Sequence, residues 1–123
     1  MSTQPVLVWC EIPVRNLKKA CEFYSKTYGY EVKITEDGPN PTAVLNNETD
    51  VPAGNLYVGE PGAGGGVTVH LALAHGDTVE AASARATEAG ATITGPLVEM
   101  PFGRWTYATD PDGNSIGLFQ AAG

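Results

Sequence analysis

At 123 residues the chain is long enough to bury one continuous apolar core and too short for several domains. Its 42% hydrophobic and 17% charged residues are those of an ordinary folded protein, and a net charge of -7 argues against nucleic acid and anionic membrane surfaces as partners. The opening MSTQPVLVWCEIPV lacks a basic region ahead of a long apolar run, and no segment reaches the roughly 18 apolar residues of a membrane span, so a cytoplasmic protein is expected.

The first element is VLVWCEIPV at 6–14, a strand rich in β-branched and aliphatic residues. From Asn16 to Tyr28 the apolar or aromatic residues Leu17, Ala20, Cys21, Tyr24 and Tyr28 recur at helical spacing, with Asn16 as cap and Gly29 as stop. Cys10 and Cys21 are the only cysteines, too few for a disulfide framework and without the paired spacing of a zinc site. They read as reduced core residues; a reactive thiol is the alternative, disfavoured because apolar surroundings oppose the thiolate. Short strands follow at YEVKI, TAVLN and NLYVG, with TEDGPNP at 35–41 forming a surface loop or a flap over a pocket. The Gly-rich run at 60–66 lacks the lysine and spacing of a phosphate-binding loop and reads as a linker.

VTVHLALAH at 67–75 opens a second half. A helix follows from Asp77 to Ala89, with Val79, Ala82, Ala86 and Ala89 on one side, Asp77 and Glu80 in capping-box positions, and Gly90 at the stop. Strands are expected at ATITGP, RWTYAT and SIGLFQ, the last two joined by a turn at Asp110–Asn114 whose degenerate counterpart is TDVPAGN at 49–55. A constant offset of 61 superposes the halves: Trp9 falls on His70, Ile12 on Leu73, Asn16 on Asp77, Cys21 on Ala82, Gly29 on Gly90 and Val32 on Ile93. This is an internal repeat of β-α-β-β-β type, whose two copies must bury their apolar faces together.

The tandem β-α-β-β-β order, with EIPVRNLKKACEFYSKTYGYEV opening the first module and DPDGNSIGLFQ closing the second, resembles the vicinal oxygen chelate superfamily of glyoxalases, bleomycin resistance proteins and extradiol dioxygenases. The resemblance implies an α+β fold in a single domain over 1–123, with module one at 5–59, the linker at 60–66 and module two at 67–121. It further implies an open, curled mixed sheet, an incomplete barrel with helices outside and a site on its concave side. Metal-dependent members place a ligand on the first and last strand of each module. Those places fall here on Trp9, on Asn55 or Tyr57, on His70 and on Gly117. Only His70 is a good ligand, because an indole offers no lone pair and glycine has no side chain.

Residues two apart on a strand share a face. Trp9 therefore brings Glu11 to the concave side, His70 brings Ala72, and Gly117 brings Ser115 and Phe119. Val8, Cys10, Ile12, Val69, Leu71, Leu73, Ile116 and Leu118 take the other face, suited to packing under the helices. Glu11, among apolar neighbours, and His70 are the candidate catalytic pair and weak candidates for a divalent metal; no cofactor is expected. A structural Glu11 bound to Arg104 or to a backbone N–H is the alternative. Trp9, Asn55, Tyr57, Arg104, Trp105, Ser115 and Phe119 are candidate substrate contacts, with the parity of the strand carrying Arg104, Trp105 and Tyr107 left open. His75, before a helix cap, reads as a solvent-side residue. Two functions follow: a glyoxalase-like lyase or isomerase handling protons beside a carbonyl, or a metal-free protein that binds or sequesters a small apolar or carbonyl-containing molecule. An open two-module barrel with strand edges also predicts a homodimer.

Overall fold

The computed structural model describes residues 7, 9–36, 40–47, 51–62 and 66–122. The expected flap at 35–41, the loop at 49–55, the linker at 60–66 and the position of Val8 lie partly or wholly outside them. β1 (Cys10–Val14) starts later than the apolar run predicts. Its pairing with β4 begins at Cys10 opposite Gly54, and Pro52, which has no N–H, cannot extend the ladder.

Asn16 then starts α1 (Leu17–Tyr28), its side-chain oxygen accepting from the Lys19 amide at 3.0 Å, a cap worth about 1 kcal/mol. Gly29 stops the helix at φ 80°, in the left-handed region that suits glycine, and its amide donates to the Ser25 carbonyl at 2.9 Å. β2 (Glu31–Thr35), β3 (Thr42–Asn46) and β4 (Gly54–Val58) complete the first sheet, ordered β1-β4-β3-β2 with β1 and β4 parallel and the rest antiparallel.

The second module repeats this plan with β5 (Val69–Ala72), α2 (Val79–Glu88), β6 (Thr92–Ile93), β7 (Val98–Met100), β8 (Gly103–Thr109) and β9 (Ser115–Ala121). Its sheet runs β5-β9-β8-β6, with β5 and β9 parallel and β7 also paired to β8. β7 is absent from the pattern read in the sequence. It and β6 are two pieces of one edge strand, interrupted where the buried Thr106 hydroxyl donates to the Gly95 carbonyl at 2.9 Å and Pro96 withholds an N–H.

The second helix start also differs from expectation. Thr78, not Asp77, is the cap, its hydroxyl accepting from the Ala81 amide at 3.1 Å. Asp77 is engaged by the Arg85 guanidinium and the Thr78 amide, while Glu80 turns to Arg104 instead of closing a capping box.

One core runs through both modules. Ile12, Val14, Ala43 and Leu56 of the first sheet and Ala108, Ile116 and Leu118 of the second are at most 3% exposed and pack under α1 and α2. Each large side chain so buried contributes roughly 1.5–3 kcal/mol. The two sheets do not close into a barrel: no ladder pairing joins them, and Cys10 of β1 and Val69 of β5 line the same two cavities between them.

Candidate functional site

Because the cores of both sheets take the even residues of β1, β8 and β9, the odd residues are left on the faces without helices. Cys10, Ile12, Val69, Leu71, Leu73, Ile116 and Leu118 all belong to the core cluster or pack against it. On the other face β1 carries Glu11 beside Asn55 of β4, and β5 carries His70 beside Gly117 of β9, which is in turn paired with Tyr107 of β8.

In the first module the Trp9 indole N–H donates to Asn55 Oδ1 at 2.7 Å, and Asn55 is itself 5% exposed. Of the two first-module positions left open by the sequence, Asn55 is therefore the one beside Trp9. Tyr57 lies two residues further along β4, opposite Pro13. Glu11 is exposed: its apolar chain neighbours Cys10 and Ile12 point to the other side of the strand, so the apolar enclosure suggested by the sequence is not formed.

The second module is denser. The His70 ring lies across Gly117, where a Cβ would stand 2.2 Å from His70 Nδ1. It meets Tyr107 and Trp105 edge-on, with centroids 5.5 and 5.9 Å away and planes at 73° and 87°. Trp105 is stacked against both Phe102 and Phe119, at 5.8 and 5.9 Å. Its indole nitrogen is buried without a hydrogen-bond partner among the described residues. Phe102, 64% exposed, was missed in the sequence because it sits in the turn between β7 and β8, outside the strands whose parity was read.

Arg104 goes elsewhere. It occupies the opposite parity of β8, donating to both Glu80 carboxylate oxygens at 2.9 and 2.8 Å and to Glu99 at 3.1 Å, and its hydrogen bonds hold Glu80 below the ordinary carboxylate range. It neither meets Glu11 nor faces Trp105. Ser115 is taken up at the seam, its hydroxyl 2.6 Å from that of Thr68.

Two cavities flank the line where the sheets meet. Glu11 and Ser115 line one of about 330 Å³ with Pro13, Val67 and Asn114. His70 lines another of about 200 Å³ with Cys10, Tyr30, Val51 and Leu71. The structure thus brings His70 together with Trp105, Tyr107 and Phe119, and Glu11 with Ser115, but puts Glu11 and His70 on separate cavities. Larger hollows of about 600 and 530 Å³ lie on the helix side. They are lined by charged groups such as Arg15, Lys26, Glu99 and Arg104 that are already in ion pairs, and read as surface grooves. Both cysteines are free, and burial pushes each thiol up, which disfavours a nucleophile.

This arrangement of paired modules recurs in known proteins. The model of the Glyoxalase/Bleomycin resistance protein/Dioxygenase superfamily matches residues 6–118. The chain belongs to this superfamily. TnmS3, an antibiotic binding protein from Streptomyces sp. CB03234, is 26% identical with a TM-score of 0.65, over 99% of this chain and 100% of that one. A superfamily member from Sphaerobacter thermophilus is 25% identical with a TM-score of 0.63, over 94% and 98%. A glyoxalase/bleomycin resistance protein from Albidiferax ferrireducens is 20% identical with a TM-score of 0.70, over 96% and 100%, a likeness of fold. No curated protein matches the chain.

The metal of other superfamily members does not fit these residues. Of the four ligand places, Trp9 gives its N–H to Asn55, and the His70 ring fills the space a side chain at position 117 would need. Among the described residues no three His, Cys, Asp or Glu side chains are grouped to hold an ion. No helix among them is long and apolar enough to cross a membrane.

Proposed function

We propose that this chain is a small-molecule-binding member of the superfamily that holds a planar, largely apolar compound against the helix-free face of its second module, without a metal. The observation that carries this reading is the ring cluster of Phe102, Trp105 and Phe119, with His70 and Tyr107 edge-on to it or beside it. Aromatic stacking contributes about 0.5–1.5 kcal/mol per ring pair beyond the area it buries, and a fused-ring ligand can meet several rings at once. A carbonyl on a ligand that reached Trp105 Nε1 would satisfy that buried donor. The antibiotic-binding activity named for TnmS3 supports the same class of role. The lyase or isomerase alternative requires Glu11 and His70 to act on one substrate, and their separate cavities support it less.

Because Phe102 on this face is 64% exposed and Trp9 in the first module 42% exposed, we further propose a homodimer in which a second copy covers these apolar groups. A neutral tricyclic quinone titrated by calorimetry tests the binding reading, with saturable micromolar affinity expected and a loss of at least tenfold in Phe119→Ala. Absence of saturable binding across a panel of planar aromatics would sink it. A stoichiometric transition metal abolished by His70→Ala would move the enzyme reading ahead. Light scattering decides the dimer.

A further inference from the structure

Three tyrosine hydroxyls cross from the first module to the second. Tyr24 donates to Asp110 Oδ2 at 2.7 Å, Tyr28 to the Gly117 carbonyl at 3.0 Å and Tyr30 to the Ala72 carbonyl at 2.5 Å. Their rings form a column, Tyr24 on Tyr28 at 5.9 Å and 6°, Tyr28 on Tyr30 at 5.0 Å and 17°. The left-handed Gly29 ends α1 between the last two, and both hydroxyls reach strands of the second sheet.

The targets differ in what they hold. Asp110 is in the turn between β8 and β9, away from the aromatic face. Gly117 lies directly beneath the His70 ring, and Ala72 is two residues beyond His70 on the strand paired with β9. A ring resting at van der Waals distance on a glycine follows that backbone, since no Cβ stands between them.

We propose that Tyr28 and Tyr30 are positioning residues for the aromatic site: from the first module they hold the Gly117 and Ala72 carbonyls, and so set where the His70 ring sits against Tyr107 and Trp105. This rests on the reading of the helix-free face as the binding site. Burial keeps all three phenols protonated well past their ordinary range, so the donors persist at any pH at which the protein is handled. Tyr24, as buried as Tyr28 and also bonded across the modules but tied to the turn, is the internal control.

The test is the pair of His70 ring proton signals, assigned by comparison with His70→Gln and recorded by NMR for Tyr24→Phe, Tyr28→Phe and Tyr30→Phe. Displacement of those signals in Tyr28→Phe and Tyr30→Phe, and not in Tyr24→Phe, is the expected result. Unmoved signals in both, or an equal displacement in Tyr24→Phe, overturn the proposal. Should Tyr28→Phe fail to fold, Tyr30→Phe, whose ring lies outside the helix, carries the test alone. Calorimetric titration of the tricyclic quinone is run beside it, with weaker binding expected in the two variants than in Tyr24→Phe. If the wild-type chain does not bind the quinone while the His70 signals move as expected, it is the binding reading that fails and the positioning role that stands.

Discussion

Asp110 accepts four hydrogen bonds on one carboxylate: from the Asp112 and Asn114 amides on Oδ1, and from the Tyr24 hydroxyl and Asn114 Nδ2 on Oδ2. It is 4% exposed, so each donor would lose its partner without water to replace it. The turn is thus a joint: Asn114 Nδ2 also donates to the Pro13 carbonyl at 2.7 Å, and Asp112 takes the Arg15 amide at 3.0 Å. Asp110→Ala is expected to lower stability by about 3 kcal/mol, read as a fall in the urea midpoint at unchanged slope, and a loss under about 1 kcal/mol would mean that the turn is not the joint described. The residue pattern DPDGN announces a turn but not its docking on the other module, because the acceptors at Pro13 and the donor at Tyr24 are far off in sequence. The same limit applies at the site. The resemblance placed Trp9, His70 and Gly117, and strand parity set Phe119 on the face of Gly117, whereas the side taken by Arg104 was not legible: only Glu80 of α2 and Glu99 of β7 decide which way it turns.

The two helices are joined by Arg85 of α2, whose Nη2 and Nε donate to the Thr27 and Lys26 carbonyls at 2.8 and 3.2 Å. Those carbonyls belong to the last turn of α1, which has no intrahelical donors for them and carries the negative end of the helix dipole. Asp77 holds the guanidinium from the other side. Arg85→Ala is expected to cost about 1–2 kcal/mol in urea denaturation, with Arg85→Lys recovering less than half because an ammonium cannot fork between two carbonyls; full recovery by lysine would reduce the contact to simple charge. Both helices were legible from their spacing and glycine stops, since those signals are local. The cap of α2 was misplaced by one residue because Asp77 is the better cap in isolation, and only the fold shows that Arg85 claims it. β7 was invisible for a similar reason: VEM has no strand pattern of its own, and pairing with Gly103–Trp105 alone makes it a strand.

At the scale of the whole molecule, the tyrosine column makes the union of the modules sensitive to alkali. Burial pushes the Tyr24, Tyr28 and Tyr30 phenols up, and the Asp110 carboxylate adds to it for Tyr24. A phenol in the unfolded chain ionises near about pH 10. With folded values raised above that, the unfolded state gives up protons that the folded state keeps. The stability these groups contribute is therefore complete below about pH 10 and is lost as pH climbs from there towards the folded values. Each tyrosine adds at most about 1.4 kcal/mol per pH unit to the slope. Urea midpoints measured between pH 9 and pH 11 should fall steeply, and Tyr24→Phe, compared by slope and not by absolute stability, should remove about a third of the tyrosine share. The two chains share every other titratable group, so the rest of their alkaline response cancels in the difference. Equal slopes for the two proteins would show that Tyr24 ionises in the folded chain as readily as in the unfolded one, and that the column does not bind the modules through buried phenols.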